Sequence, residues 1–136
     1  MNAAFIDTSG WYATLNARES GHSKSVAAVA GWIQAGRCLV TTNLVVAEMQ
    51  TLVCRGRGPA AGVRFLDNLY QDASCEVVFV DRELERSAVD RWLRRYGDQG
   101  FSLADAVSFE VMRERRIRDV LTLDKHFEVA GFRVVP

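Results

Sequence analysis

The chain has 136 residues, of which 49% are apolar and 25% charged, a size that suits one domain with a real core. Its 17 basic and 17 acidic side chains cancel, which argues against a protein that holds nucleic acid by bulk charge alone. No apolar run approaches the ~20 residues of a membrane-spanning helix, and the opening MNAAFIDTSGW lacks the basic-then-apolar order of a signal peptide. The expected setting is therefore the cytoplasm, away from any membrane.

In chain order, the first short apolar run, Ala3–Ile6, predicts a strand that ends at Asp7. Trp11, Tyr12 and Trp32 follow in a stretch expected to pack in the core or at an interface. A second strand is predicted over 38–41. Asn43 can then cap a helix over 44–54, which the Gly-Arg-Gly-Pro stretch at residues 56–59 ends. Pro59 suits the start of the next helix, through about Tyr70. A third strand is expected over 77–80, and Asp81 can cap a helix over 82–96 whose Leu84, Ala88 and Trp92 form an i, i+4, i+8 stripe. Gly97 and Gly100 close that helix, and Ser102 opens another through about Arg115. Strands over 119–123 and 132–135 complete the chain. Short apolar strands alternating with crossover-length helical segments predict an α/β domain with a central, mainly parallel five-stranded sheet flanked by helices. No linker or repeat divides it.

The three cysteines, Cys38, Cys54 and Cys75, are odd in number and widely spaced, with only two histidines beside them. A zinc site or disulfide framework does not fit. Cys38 and Cys54 read as small core residues in a reducing compartment.

The carboxylates are more informative. Asp7 follows the first strand and Asp124 the fourth, so both stand where ligands bind outside the carboxyl ends of a parallel sheet. Each also fits the plainer role of an N-cap. Glu48 has Leu44, Val45, Thr51 and Leu52 as helical neighbours, which places a charge on an apolar face where it would need a cation or donors. Asp105 stands in Ser102-Leu103-Ala104-Asp105, the spacing of a capping box, with Phe101, Ser108 and Phe109 on the same face. Ser102 and Ser108 could hold its carboxylate or a water bound to a metal. Four acids meeting at one crevice repel unless a cation sits among them, and all-oxygen ligands favour Mg²⁺ or Mn²⁺. Such ions can lower the pKa of water and stabilise both oxygens of an in-line phosphoryl displacement, so phosphodiester hydrolysis is the best chemical match. With those four acids neutralised, 13 acidic side chains face 17 basic ones, and the surface left for a phosphate backbone is basic.

The ordered set Phe5-Ile6-Asp7-Thr8-Ser9, Thr42 to Glu48, Phe101 to Ala106 and Leu121 to Phe127 resembles the PIN-domain ribonucleases, VapC-like toxins of toxin–antitoxin pairs in particular. The resemblance spans the whole chain as a single PIN-like domain. It implies a Mg²⁺- or Mn²⁺-dependent endoribonuclease with a metal-activated water. Asp7 and Asp105 would be the main metal ligands, and Glu48 and Asp124 would complete the pocket. Thr8, Ser102 and Thr122 would orient the carboxylates. It further implies a cognate antitoxin, an RNA substrate and a homodimer built on the early helices.

Arginines cluster at Arg55 and Arg57, at Arg91, Arg94 and Arg95, and along residues 113–118. They read either as a phosphate-contacting rim around the pocket or as solvated helix faces, with Arg55 and Arg57 the first choice for RNA because they follow the Glu48 helix. His126 reads as a structural or exposed histidine, with a general acid as the alternative. Two other functions stand beside the nuclease. An acid-cluster phosphohydrolase of small phosphate esters would want a second Asp two residues after Asp7, where Ser9 stands. A phospho-accepting receiver would want an acidic neighbour beside Asp7, which has none, and a non-catalytic RNA-binding regulator would be told apart by binding without cleavage.

Overall fold

A computed structural model describes residues 2–136. Five strands, β1 (Ala3–Ile6), β2 (Cys38–Thr42), β3 (Cys75–Val78), β4 (Asp119–Leu121) and β5 (Arg133–Val135), form one sheet in the order β3-β2-β1-β4-β5. Every neighbouring pair is parallel, so the mainly parallel sheet expected from the sequence is wholly so. Seven α-helices connect and cover the strands: α1 (Thr8–Leu15), α2 (His22–Gln34), α3 (Asn43–Arg57), α4 (Pro59–Gln71), α5 (Arg82–Ala88), α6 (Leu103–Glu114) and α7 (His126–Val129). None of them is long and apolar enough to cross a membrane.

Alternation along the strands divides the core between the two faces of the sheet. Phe5, Val40 and Val120 point to one face, where they meet Phe109 and Met112 of α6 and Phe127 of α7. Ala4, Ile6, Leu39 and Leu121 point to the other and pack against Trp32 of α2. The strand order reverses at β1, between β2 and β4. At this switch point the first helices after β1 and β4 diverge and leave a crevice at the carboxyl ends. Asp7 and Asp124 flank it.

Several boundaries differ from the sequence reading, each for a reason found in the hydrogen bonds. The third strand starts at Cys75 and ends at Val78, because the Val80 N–H donates to the Asn43 side chain at 2.9 Å instead of to a ladder. Asn43 is thus engaged elsewhere, and Thr42 caps α3 by accepting the Val45 N–H at 3.3 Å. That helix runs through Gly56 and stops at Gly58, whose φ of 95° lies in the region that favours glycine. The fourth strand ends at Leu121: the Thr122 N–H still reaches the Val135 carbonyl at 3.1 Å, but the Leu123 and Asp124 donors are taken by side chains at the site described below. The fifth begins at Arg133, the Phe132 N–H having gone to the Phe127 carbonyl at 3.0 Å. Asp81 caps α5 through the Leu84 N–H at 2.8 Å as expected, but beyond Ala88 the chain widens into a π-helical segment, Val89–Arg94. All three cysteines are free and half-buried, so Cys38 and Cys54 sit at the margins of the core.

Candidate active site

The crevice is built on a small knot of hydroxyls. Thr122 donates to Asp7 Oδ2 at 3.0 Å, and its Oγ1 accepts the Asp124 N–H at 3.0 Å. Ser9 lies 3.0 Å from the same Oγ1. Thr122 has one proton and it is given to Asp7, so the Ser9 hydroxyl is the donor to Thr122. The Ser9 oxygen in turn accepts the Leu123 N–H at 2.8 Å. These bonds take the donors that would otherwise extend β4, and they fix Asp7 and Asp124 relative to each other. Gly10 seals the junction, because a Cβ there would stand 2.2 Å from the Leu121 carbonyl oxygen.

Asp7 holds the N-cap position of α1 through its backbone alone, its side chain making no cap bond. It is 9% exposed. Burial is the main reason that its carboxyl is pushed up to about 6. The Thr8 amide and the Thr122 hydroxyl act against that rise, while the charges of Asp105 and Asp124 add to it.

Asp105 is equally buried, on the first turn of α6. The expected capping box forms: Ser102 Oγ accepts the Asp105 N–H at 3.0 Å, and the Ser102 N–H donates to Asp105 Oδ2 at 3.1 Å. It is therefore the Ser102 backbone that holds the carboxylate. Ser108 does not reach it, its hydroxyl being bound to the Ala104 carbonyl at 2.8 Å.

His126 completes the cluster. Asp124 Oδ1 accepts the His126 N–H at 2.9 Å, a local turn that starts α7 and swings the ring over the crevice. Nδ1 then lies 3.1 Å from Asp105 Oδ2 and 3.6 Å from Asp124 Oδ1, with the edge of the Phe101 ring against it. A carboxylate oxygen accepts, so Nδ1 is the donor in the contact with Asp105. Ligand atoms of Asp105, Asp124 and His126 all fall within 4.8 Å of one another.

Glu48 occupies a different environment from the one its sequence neighbours suggest. It is exposed, because Thr51 and Leu52 are exposed too and the apolar stripe of α3 turns to Val45 and Met49. Partial desolvation still raises its carboxyl above the usual range, against the pull of the Thr8 hydroxyl and with a smaller push from Asp105. Glu48 thus stands at the crevice margin on the Thr8 and Asp105 side. The buried Thr8 hydroxyl is turned toward Glu48 but does not reach full hydrogen-bond geometry to it or to any other described residue. Arg55 and Arg57 lie in the last turn of α3, two turns beyond Glu48, and Arg57 lines a separate groove with Arg18 and Arg64.

The donor set fits a divalent cation. Two carboxylates and an imidazole nitrogen converge, and two more carboxylates are coupled to them, an oxygen-rich set suited to a hard or borderline divalent ion. Sequence reading missed the part played by His126, although its position two residues after Asp124 is the spacing of such a turn. Ser9 was also missed, since its importance comes from a contact spanning 113 residues.

An open parallel sheet with this switch-point cluster defines the class, and a model of the PIN domain matches residues 4–133: the chain belongs to the PIN-domain family. It is 34% identical over 128 residues to the 23S rRNA-specific endonuclease VapC20 of Mycobacterium tuberculosis, an alignment covering 94% of each chain. It is 30% identical over 129 residues to a VapC ribonuclease of Archaeoglobus fulgidus, covering 93% of this chain and 80% of that one. The crystal structure of Mycobacterium tuberculosis VapC20, described as a Sarcin-Ricin loop cleaving toxin, superposes with a TM-score of 0.82 over 98% of this chain and 100% of the other, at 32% identity. FitAcB of Neisseria gonorrhoeae shares the fold at a TM-score of 0.68 and 16% identity, covering 98% and 96% of the two chains. The VapC-type relatives support an endoribonuclease toxin.

Proposed function

We propose that this chain is a Mg²⁺- or Mn²⁺-dependent endoribonuclease, the toxin of a toxin–antitoxin pair, acting through Asp7, Glu48, Asp105 and Asp124. The observation that carries the reading is the meeting of Asp105, Asp124 and His126 within 4.8 Å, beside a buried Asp7 coupled to both aspartates. Asp105, Asp124 and Asp7 would hold the cation, with Glu48 at the margin. Bound there, a divalent ion would supply Lewis-acid stabilisation of a phosphodiester and lower the pKa of water.

The chain's own groups have definable tasks. Thr122 and the Ser102 amide hold Asp7 and Asp105 with an oxygen of each fixed by a donor, which orients them for metal and substrate. His126, oriented by the Nδ1 contact with Asp105 and part-exposed beside the cluster, can bind or pass a proton there. Glu48 is solvent-accessible, with a carboxyl raised above the usual range, and is suited to position or deprotonate an attacking water.

The cognate antitoxin would sit in the groove of ≈ 670 Å³ between α1, α3 and α4, where Leu52, Val53 and Phe65 form an apolar floor and Arg18, Arg57 and Arg64 offer anchors for acidic residues. This assigns Arg57 first to a protein partner, with RNA contact by Arg55 and Arg57 secondary. A homodimer is part of the same reading.

The test is cleavage of total cellular RNA by the purified, antitoxin-free chain with Mg²⁺, Mn²⁺ or EDTA, beside Asp7→Asn and Asp105→Asn. Discrete fragments that vanish with EDTA and in both variants are expected. Full cleavage by either folded variant would overturn the mechanism.

A further inference from the structure

Two arginine runs that are separate in the sequence meet in space, at the opposite end of α6 from the crevice. Arg91, from the π-helical segment, and Arg113, from the last turn of α6, both bind the Glu110 carboxylate, at 3.2 and 2.9 Å. Glu110 is fully buried and also accepts the Trp92 indole N–H at 3.1 Å, so it anchors this end of the molecule and leaves both guanidinium groups half-exposed. Next to Arg113 is a cavity of ≈ 640 Å³ with Ile117 and Phe132 in its floor and Arg113, Arg116, Arg118 and Arg133 around it. The one carboxylate lining it, Asp119, is largely buried and already held by Arg37 and Arg133 at 2.8 Å each. Arg116 and Arg118 have no ion-pair partner among the described residues.

Arg116 also closes α6 in an unusual way. The Ile117 N–H returns to the Met112 carbonyl at 2.8 Å and the Arg116 N–H to that of Arg113 at 3.2 Å, the pattern that normally places glycine in the left-handed region. Arginine holds that position with φ of 56°. A long cationic side chain is thus kept where glycine would cost less, on the rim of a cavity whose other cations are only partly neutralised. In a chain with no net charge, this is a local excess of positive charge with a shape.

The same helix carries Asp105 at its start, and eight residues separate Asp105 from Arg113, about 12 Å along the axis. That direct separation equals on the order of four base steps at ~3.4 Å each, and a path over the surface is longer. We infer that the Arg91, Arg113, Arg116, Arg118 and Arg133 band is a second RNA-binding site, which holds the phosphate backbone of a folded substrate several nucleotides from the bond being cut. It rests on the nuclease reading and adds to it: residues 105–112 of α6 are buried, so a substrate must have a stem or flanking strand long enough to pass around the domain surface from the crevice to the band. Backbone contacts of this kind position a substrate without reading its bases.

The binding of a fluorescent 24-nucleotide RNA hairpin is measured in EDTA, across a salt series, for the wild-type chain, the double variant Arg116→Gly with Arg118→Ala, and Arg82→Ala as a charge control. Glycine suits the backbone at position 116, so the double variant is expected to fold. A loss of at least tenfold in affinity is expected for the double variant, with the log–log salt slope shallower by about two and less than twofold change for Arg82→Ala. No binding by the wild type, an unchanged slope in the double variant, or an equal loss in Arg82→Ala would overturn the assignment. A 20-residue polyglutamate peptide is measured in parallel, and a loss confined to the peptide would assign the band to an acidic protein instead. Because binding is read without metal, it is independent of the total-RNA cleavage on which the nuclease reading depends.

Discussion

Asp7 is a carboxylate placed where its charge is disfavoured, which makes its titration visible in the stability of the metal-free chain. Its ordinary value of 3.8 is pushed up to about 6 in the fold, first by burial. The folded state therefore holds the Asp7 proton more tightly than the unfolded state. That contribution is fully present below about pH 4 and is lost as pH rises through 6, an effect of about 3 kcal/mol. Asp7→Asn should abolish cleavage while removing this loss, so that in EDTA the variant is more stable than the wild type at pH 7 and equal to it near pH 4. Denaturant unfolding at the two pH values measures it; an identical pH dependence in both proteins would refute the burial account. Thr122→Val removes the donor to Asp7 and the acceptor for the Asp124 N–H at once. A destabilisation of about 1–3 kcal/mol is expected, with the acid limb of the pH–activity profile moved upward and Thr122→Ser restoring both. At this scale the sequence was readable where spacing is local: the capping box at Ser102 and the positions of Asp7 and Asp124 at strand ends. Ser9 and His126 were not, because their partners come from elsewhere in the chain or from a turn whose direction depends on packing.

Among the elements, α1 and β4 are held at a separation that only glycine permits. A methyl group at position 10 would meet the Leu121 carbonyl oxygen at 2.2 Å, and this atom is backbone, which cannot swing aside. Gly10→Ala should push α1 off the sheet, cost about 1–3 kcal/mol of stability, and lower activity more than the stability loss alone explains, because the Ser9–Thr122 bond spans the same junction. Thermal unfolding together with turnover by the folded fraction tests it; full activity in the folded fraction would mean that the junction is structural only. Glu48 shows how element-level reading can mislead. Its i±3 and i±4 neighbours are apolar or β-branched, but two of them, Thr51 and Leu52, lie on the exposed side of α3. A helical period identifies a stripe, and the tertiary packing decides which edge of the stripe is covered. The strand limits failed for a related reason: Asn43 and Ser9 take backbone donors that apolar runs alone would assign to the sheet.

For the molecule as a whole, the five-stranded parallel sheet was legible from the βα alternation although its strand order was not, and the parallel sheet placed its ligand crevice before any side chain was considered. What composition concealed was the separation of charge. Seventeen acids and seventeen bases cancel in the sum, yet four acids gather at the carboxyl ends of β1 and β4 and five arginines at the opposite end of α6. The crevice is thus a site of stored repulsion in the metal-free protein, and a divalent ion bound only by the native state relieves it. At a concentration of 100 times the dissociation constant, such binding stabilises by about 2.7 kcal/mol, which for a domain of this size moves Tm upward by roughly 10 °C. Mg²⁺ and Mn²⁺ should each raise Tm, EDTA should return it to the metal-free value, and Asp105→Asn should remove most of the shift. The nitrogen donor of His126 should make the Mn²⁺ shift the larger of the two, and His126→Ala should narrow the gap between the ions. A Tm that ignores both ions would leave the carboxylates without the partner their arrangement calls for, and a gap unchanged in His126→Ala would place the imidazole outside the coordination sphere.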